Sequence, residues 1–302
     1  MAGLFGTAFA PAKVNLFLHV GAPDAEGYHP LASLLAFADV GDRVSVAPGE
    51  AMGFRVGGPF AGALAAESDN LVARAARGLL AAARRPVAPV ELLLEKNLPI
   101  AAGLGGGSSD AGATLRLLRR VWELPLDDAA LQVVAAGLGA DGAACLWGAP
   151  VMAQGRGERL SPAPRLPEIA AVLVNPGVPA ATGAVYRKFD DLGRFGALEA
   201  PHLPDAFDSV EEVAAWLSLQ RNDLEPAAID LAPEIGDVLA ALTGEGETLL
   251  ARMSGSGATC FALCPGDFEA EQLAERLQAL RPDWWVRRCR LGGPWPEDSA
   301  PR

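Results

Sequence analysis

The sequence predicts an α+β protein of two domains. Its 302 residues, half of them hydrophobic, are enough for two cores of ordinary size. Strand-like and helix-like segments are mixed without the regular spacing of βαβ units. A hairpin-like segment and a proline-rich connection, near residues 155–167, separate a glycine-rich first half from a second half with acidic helices. The divisions read from this are 1–160, 161–291 and a disordered tail, 292–302, with the sequence GGPWPEDSAPR.

The elements follow in order. TAFAPAKVNLFLHV reads as a strand in which Val14, Leu16, Leu18 and Val20 alternate onto one face. Lys13, Asn15, Phe17 and His19 share the other face. GDRVSVAP and VELLLEKNLPI read as further strands. SDNLVARAARGLLAAARR reads as a helix capped by Ser68, Asp69 or Asn70. DAALQVVAAGLGADGAACLWG predicts helix on both sides of a break at residues 139–142, and VMAQGRGERLSPAP a hairpin. AAVLVNPGV predicts a strand, LLARMSGSGATCFAL a strand, a glycine turn and a new element. DFEAEQLAERLQALRPDWWVRRCRL predicts helix then strand, with Trp284 and Trp285 packing inward.

Composition excludes several functions. A net charge of −12 argues against nucleic acid and against an anionic membrane as partners. No apolar run of about eighteen residues is present and no signal-peptide pattern opens the chain, so a cytoplasmic location is expected. Cys145, Cys260, Cys264 and Cys289 form no C-x-x-C pair and read as reduced thiols. The three histidines are too dispersed to suggest a metal site. Of 25 basic residues only Lys13, Lys96 and Lys188 are lysine. In a chain that otherwise uses arginine, a lysine points to a place where a compact ammonium matters.

The stretch LPIAAGLGGGSSDAGATL carries the strongest signal. Gly103, Gly105, Gly106 and Gly107 allow close backbone approach and positive φ. Ser108, Ser109 and Asp110 are N-cap types, and Ala111, Leu115, Leu118 and Trp122 follow at helical spacing. A glycine loop feeding a helix N-terminus favours phosphate. It is neither a Walker A loop, which needs Lys then Ser/Thr after its last glycine, nor a G-x-G-x-x-G fingerprint, since position 108 is serine.

PAKVNLFLHV, then LPIAAGLGGGSSDAGATL, then MSGSGATCFAL resemble in order and wording the GHMP kinases, which phosphorylate small molecules such as galactose, homoserine and mevalonate. A narrower resemblance rests on EGYHPL (26–31), GADGAACL (139–146), GRGERL and NPGV. It is to the branch of GHMP kinases that phosphorylates the 2-hydroxyl of a cytidyl sugar alcohol in the non-mevalonate isoprenoid pathway.

The resemblance implies the two-domain GHMP kinase fold: a ribosomal-protein-S5-domain-2-like nucleotide domain and a ferredoxin-like α/β-sandwich domain. It implies ATP as co-substrate, Mg²⁺ with it, a small-molecule cytidyl substrate, and a monomer or weak homodimer. Lys13 and Asp141 match the catalytic pair. Pro99, Gly103, Leu104, Gly105, Gly106, Gly107, Ser108 and Ser109 match the ATP loop, with Asn70 and Lys96 near the base or ribose. Asn15, Tyr28, His29 and Tyr186 match substrate-binding positions, and SGSGAT matches a motif that lies against the phosphate loop. No metal ligand is assigned. One departure stands out: the family's Gly-Ala-Asp is usually followed by Val-Pro, whereas Gly142 and Ala143 follow Asp141.

Read without the resemblance, Asp141 is first of all a plain helix cap, and another GHMP enzyme or a silent nucleotide-binding protein are the competing functions. Phosphoryl transfer needs positioning and charge stabilisation. A carboxylate to orient the acceptor hydroxyl, a lysine beside it and backbone donors for phosphate meet that need.

Overall fold

A computed structural model of the chain describes residues 6–64, 70–196, 198 and 201–297. The opening segment forms β1 (Gly6–Val20), with register breaks between Pro11 and Lys13 and between Asn15 and Phe17. The second break corrects the strict alternation expected of this strand. An extra residue in one strand exchanges the two faces. Leu16 and Phe17 therefore enter the same core, while Leu18 joins Lys13 and Asn15 in lining a cavity.

The next strand, β2 (Leu31–Pro48), is longer than the expected 41–48. Its first ten residues, LASLLAFADV, are nearly all buried. A strand covered on both faces shows no alternation, which hides it from pattern reading. β3 (Gly53–Gly57) was also not expected; it lies parallel to β4 (Val90–Glu95). The expected hairpin is β5 (Val151–Gly155) with β6 (Arg159–Pro162). The later strands are β7 (Ile169–Asn175), β8 (Leu250–Met253), β9 (Cys260–Leu263) and β10 (Trp285–Gly292). Ten strands form one sheet with the path β3-β4-β2-β10-β7-β9-β8; β1 and β5 also pair with β2, and β6 with β5.

Nine α-helices occur among the described residues. α1 (Leu71–Ala83) is capped by Asn70, whose Oδ1 accepts the Ala73 N–H at 3.0 Å. The other two candidate caps, Ser68 and Asp69, lie outside the described residues. α2 (Gly106–Val121), α3 (Asp128–Ala136) and the short α4 (Gly142–Cys145) complete the first half. α5 (Thr182–Leu192), α6 (Val210–Ser218), α7 (Glu225–Leu231), α8 (Glu234–Thr243) and α9 (Asp267–Leu280) cover the second.

Three cores follow one another along β1. Ala8 and Ala10 pack with α1, α2 and β4; Ala12 to Phe17 pack with β2, β7 and α6; Leu18 and Val20 pack with α5, α7, α8 and α9. The middle core draws residues from both halves of the sequence, and β10 pairs with both β7 and β2. The division at 160/161 falls inside β6, so we propose moving it just past that strand.

The tail also differs from expectation over residues 292–297. Trp295 Nε1 donates to the Phe37 carbonyl at 2.9 Å. Glu297 accepts the Phe9 N–H at 3.1 Å and the Arg116 Nε at 2.8 Å. A ring N–H with a carbonyl acceptor and a carboxylate at a half-buried arginine anchor this segment; residues 298–302 lie outside the described ones.

Candidate active site

A cavity of about 770 Å³ opens between the N-terminus of α2 and the N-terminal turn of α5. That volume suits a substrate of drug size. Of the residues expected in the site, Lys13, Asn15, Tyr28, His29, Asn70, Lys96, Pro99, Gly103 to Ser108, Asp141 and Tyr186 all line it. Ser109 is the exception: it is fully buried, and its Oγ lies beside Cys145 behind the loop. The helix starts at Gly106, two residues earlier than cap-type residues suggested, so Ser109 falls in its second turn and faces inward.

Lys13 and Asp141, 128 residues apart in the sequence, meet with Nζ 3.2 Å from Oδ2. The lysine is buried and the aspartate is 40% exposed at the cavity. Lys13 Nζ also donates to Asn15 Oδ1 at 2.6 Å, and Asn15 Nδ2 donates to Ser33 Oγ at 2.8 Å. Ser33 Oγ donates to the Phe17 carbonyl at 2.6 Å. The ammonium is thus aimed by a chain of bonds anchored in β1 and β2. Asp141 sits at the N-cap position of α4, yet its side chain makes no cap bond and its backbone is already helical. The plain capping role is therefore not what this carboxylate does.

The loop glycines have a reason in the fold besides the one expected. A Cβ on Gly103 would overlap the Ser254 carbonyl oxygen. On Gly105 it would lie 2.9 Å from Lys13 Cε, on Gly106 2.9 Å from Lys96 Nζ, and on Gly107 3.2 Å from Leu71 Cδ1. Each missing side chain makes room for protein, and two of them admit the stems of the lysines. Gly103 and Gly105 also hold φ of 73° and 59°, which disfavours a side chain. The loop remains suited to phosphate. Ser109 N–H is bonded to the Gly105 carbonyl, and the N–H groups of the first helical turn before it have no helical partner.

Lys96 is buried beneath this loop, between Asp42 and Asp110. Its Nζ is bonded to Asp42 Oδ2 and lies 2.8 Å from Asp110 Oδ2. Burial alone would lower this lysine's pKa, but Asp110 and Asp42 hold it above the ordinary value. Burial, with the Asp42 charge behind it, holds Asp110 well above the usual carboxylate range against the pull of Lys96. Asp42 Oδ1 accepts the N–H groups of Asn97 and Leu98 at 2.6 and 2.8 Å. The cluster ties the end of β4 to α2, so this ammonium is committed to the fold. Asn70 Nδ2 and Asp110 Oδ1 are buried at this end with no partner in the protein, and both residues line the cavity.

The SGSGAT segment lies against the loop, as the resemblance implied. Ser254 Oγ accepts from the Asn15 N–H at 3.1 Å and donates to the Gly103 carbonyl at 2.9 Å. Thr259 N–H donates to the Ala102 carbonyl at 3.1 Å.

The far end is built from the segment 21–30 and α5. His29 Nδ1 is 2.8 Å from the Gly21 carbonyl, which can only accept, so that nitrogen donates. Its Nε2 meets Asp190 Oδ1 at 3.1 Å, and its ring lies 5.2 Å from that of Tyr186. Burial, helped by the negative charge of Asp141, pushes the Tyr186 phenol up to about 12, so it keeps its proton at neutral pH.

Comparison with known proteins agrees with this geometry. Residues 70–149 match the model of the GHMP kinases N terminal domain, and residues 204–283 that of the GHMP kinases C terminal domain. A 4-diphosphocytidyl-2-C-methyl-D-erythritol kinase of a Caulobacter species is 63% identical over 289 residues, covering 95% of this chain and 99% of that one. The enzyme of that name from Caulobacter vibrioides is 62% identical over 286 residues, covering 94% and 99%. The chain belongs to this family of GHMP kinases. A crystal structure of 4-(cytidine 5'-diphospho)-2C-methyl-D-erythritol kinase superposes with a TM-score of 0.76 at 37% identity, covering 96% of this chain and 100% of that one.

Within this GHMP kinase the glycine after Asp141 has a local cause. A Cβ on Gly142 would overlap the carbonyl oxygen of Ala135. The end of α3 lies directly against the start of α4, and only glycine fits between. Several cavity residues were not assigned to the site from the sequence: Asp110, which was read only as an N-cap type, Arg156, Thr182, Asp190 and Ser256. Ser256 lay inside a noted motif, and Arg156 inside GRGERL, but neither spacing nor residue type singled them out.

Proposed function

We propose that this GHMP kinase transfers the γ-phosphoryl group of ATP to the 2-hydroxyl of 4-diphosphocytidyl-2-C-methyl-D-erythritol. The observation that carries the mechanism is the 3.2 Å contact between Lys13 Nζ and Asp141 Oδ2, in the cavity that the phosphate loop, His29 and Tyr186 also line. Asp141 orients the acceptor hydroxyl and takes its proton as the bond to phosphorus forms. Lys13 lies where it can neutralise charge on the transferring group. The first turn of α2 binds the ATP phosphates through its free N–H groups and its dipole. Asn70 Nδ2, unpartnered in the protein, is placed to donate to the nucleotide. Lys96 supports the loop from beneath. Tyr28, His29 and Tyr186 bind the cytidyl end, and Asn15 aims Lys13.

Magnesium would arrive on ATP and offset phosphate charge. No group of three His, Cys, Asp or Glu among the described residues is arranged to hold a metal alone, and Ser108 and Asp141 are oxygen donors at the cavity. No described helix is long and apolar enough to cross a membrane. The four buried free thiols fit a reducing cytoplasm, and the net charge of −12 fits an enzyme without a nucleic-acid partner; a monomer or weak homodimer is part of the same proposal.

An ATP-coupled assay of the purified chain with the cytidyl substrate beside homoserine, mevalonate and galactose tests the assignment. Turnover of the cytidyl substrate alone is expected. Preference for any other acceptor, or ATP binding without turnover of any of them, would sink it.

A further inference from the structure

We propose that Arg156 is a positioning residue for substrate recognition, holding the Tyr28 ring as a fixed stacking surface for a pyrimidine base. This rests on the cytidyl-substrate reading above. Arg156 lies in the turn between β5 and β6, far in sequence from Tyr28. Its guanidinium carbon is 4.1 Å from the centroid of the Tyr28 ring. Its Nη2 bonds Asp24 Oδ2 at 2.8 Å and Glu26 Oε2 at 2.7 Å. Its own N–H donates to Glu158 Oε2 at 2.6 Å, which fixes the turn that carries it.

Asp24 passes this restraint on to the backbone. Its Oδ1 accepts the N–H groups of Glu26 and Tyr28, each at 2.9 Å, and its N–H donates to the Tyr28 carbonyl at 2.8 Å. One arginine therefore grips both acidic anchors of a loop and the aromatic ring at its end. Tyr28 is 55% exposed although the guanidinium covers one face of its ring, and both residues line the cavity, so the uncovered face is the one available to a ligand. A surface residue in a loop would otherwise have to be ordered by the ligand, and ordering it beforehand lowers that cost. The planar guanidinium can stack and form a fork at once, which an ammonium cannot. None of the hydrogen bonds, ion pairs or ring contacts that define this clamp involves Lys13 or Asp141, so the chemical step lies outside its reach.

Arg156→Ala should raise KM for the cytidyl substrate about tenfold, with kcat and KM for ATP within about twofold of wild type. Arg156→Lys keeps the charge but loses the plane, and should not restore KM. Adding Arg156→Ala to Tyr28→Ala should cause little further rise, because the arginine acts through the ring. Amide hydrogen exchange at Glu26 and Tyr28 should speed up in Arg156→Ala. An unchanged KM, full recovery in Arg156→Lys, or losses that multiply in the double variant would overturn the proposal; the last two would place the guanidinium on the substrate's phosphates instead. If the wild type turned over no cytidyl substrate, the functional reading would fail by itself. The exchange of these two amides, measured on the free protein, would still decide whether Arg156 holds the loop, and unchanged exchange would overturn that.

Discussion

Lys96 and Arg156 are each a single cation held between two carboxylates, at opposite ends of one cavity. Lys96, Asp42 and Asp110 are all but inaccessible to solvent, whereas Arg156, Asp24 and Glu26 are 40–70% exposed in their side chains. The same charge pattern therefore does different work. In the buried cluster each partner is uncompensated without the others, so the glycine loop above it is fixed into the fold. At the surface, water and salt screen each pair, so the clamp orders a loop without contributing much to global stability. The end proposed for ATP is the buried one. The end proposed for the acceptor is carried on a surface loop and a hairpin turn, where sequence can change without unfolding the core.

The largest effect that could break this contrast is expected at Lys96. Lys96→Met leaves Asp42 and Asp110 buried and unpaired, and should cost about 3–5 kcal/mol of stability by denaturant unfolding. Arg156→Ala should leave the unfolding midpoint nearly unchanged. A Lys96→Met protein as stable as wild type would remove the distinction.

Next in size, Lys13→Ala and Asp141→Asn should each lower kcat by about 100-fold or more. Their double variant should be little worse than the poorer single, as for groups acting as one unit. Asp141→Asn should fold as well as wild type, because Asp141 makes no cap bond. Losses that multiply cleanly in steady-state kinetics would separate the two roles.

At the acceptor end, His29→Ala should mainly raise KM for the cytidyl substrate, by about 1–3 kcal/mol of lost binding, with KM for ATP little changed. A defect confined to ATP would place His29 at the wrong end of the cavity.

The smallest effect concerns pH. Burial, with the Asp141 charge behind it, pushes the Cys145 thiol from 9.0 up to about 12. The folded state then keeps a proton that the unfolded state releases, so this group's stabilisation is present below pH 9 and is lost as pH rises toward 12. Cys145→Ala should flatten the alkaline fall in stability by up to about 1.4 kcal/mol per pH unit. Equal slopes in the two proteins would contradict the burial of this thiol.

Much of the site was legible because its chemistry is local. Four glycines before a helix, SGSGAT, and two of only three lysines in the site are patterns of residue type and spacing. What they did not reveal was why they are there. The glycines at 105 and 106 make way for Lys13 and Lys96, and that depends on strands brought beneath the loop from elsewhere in the chain. Ser109 has the residue type of a phosphate ligand, yet helix phase turns it inward. The first half of β2 escaped notice because a strand buried on both faces has no period to read.

Local residue patterns were enough for the α+β class, most of the helices and strands, and the glycine loop feeding a helix. These follow from periodicity and from backbone freedom, which act over a few residues. Only the tertiary structure decided that Asp141 meets Lys13 rather than capping α4, that Lys96 is locked between two aspartates, and that Arg156 backs Tyr28. Each of those contacts joins residues far apart in the chain, and their energies depend on distance and burial, which residue order does not contain.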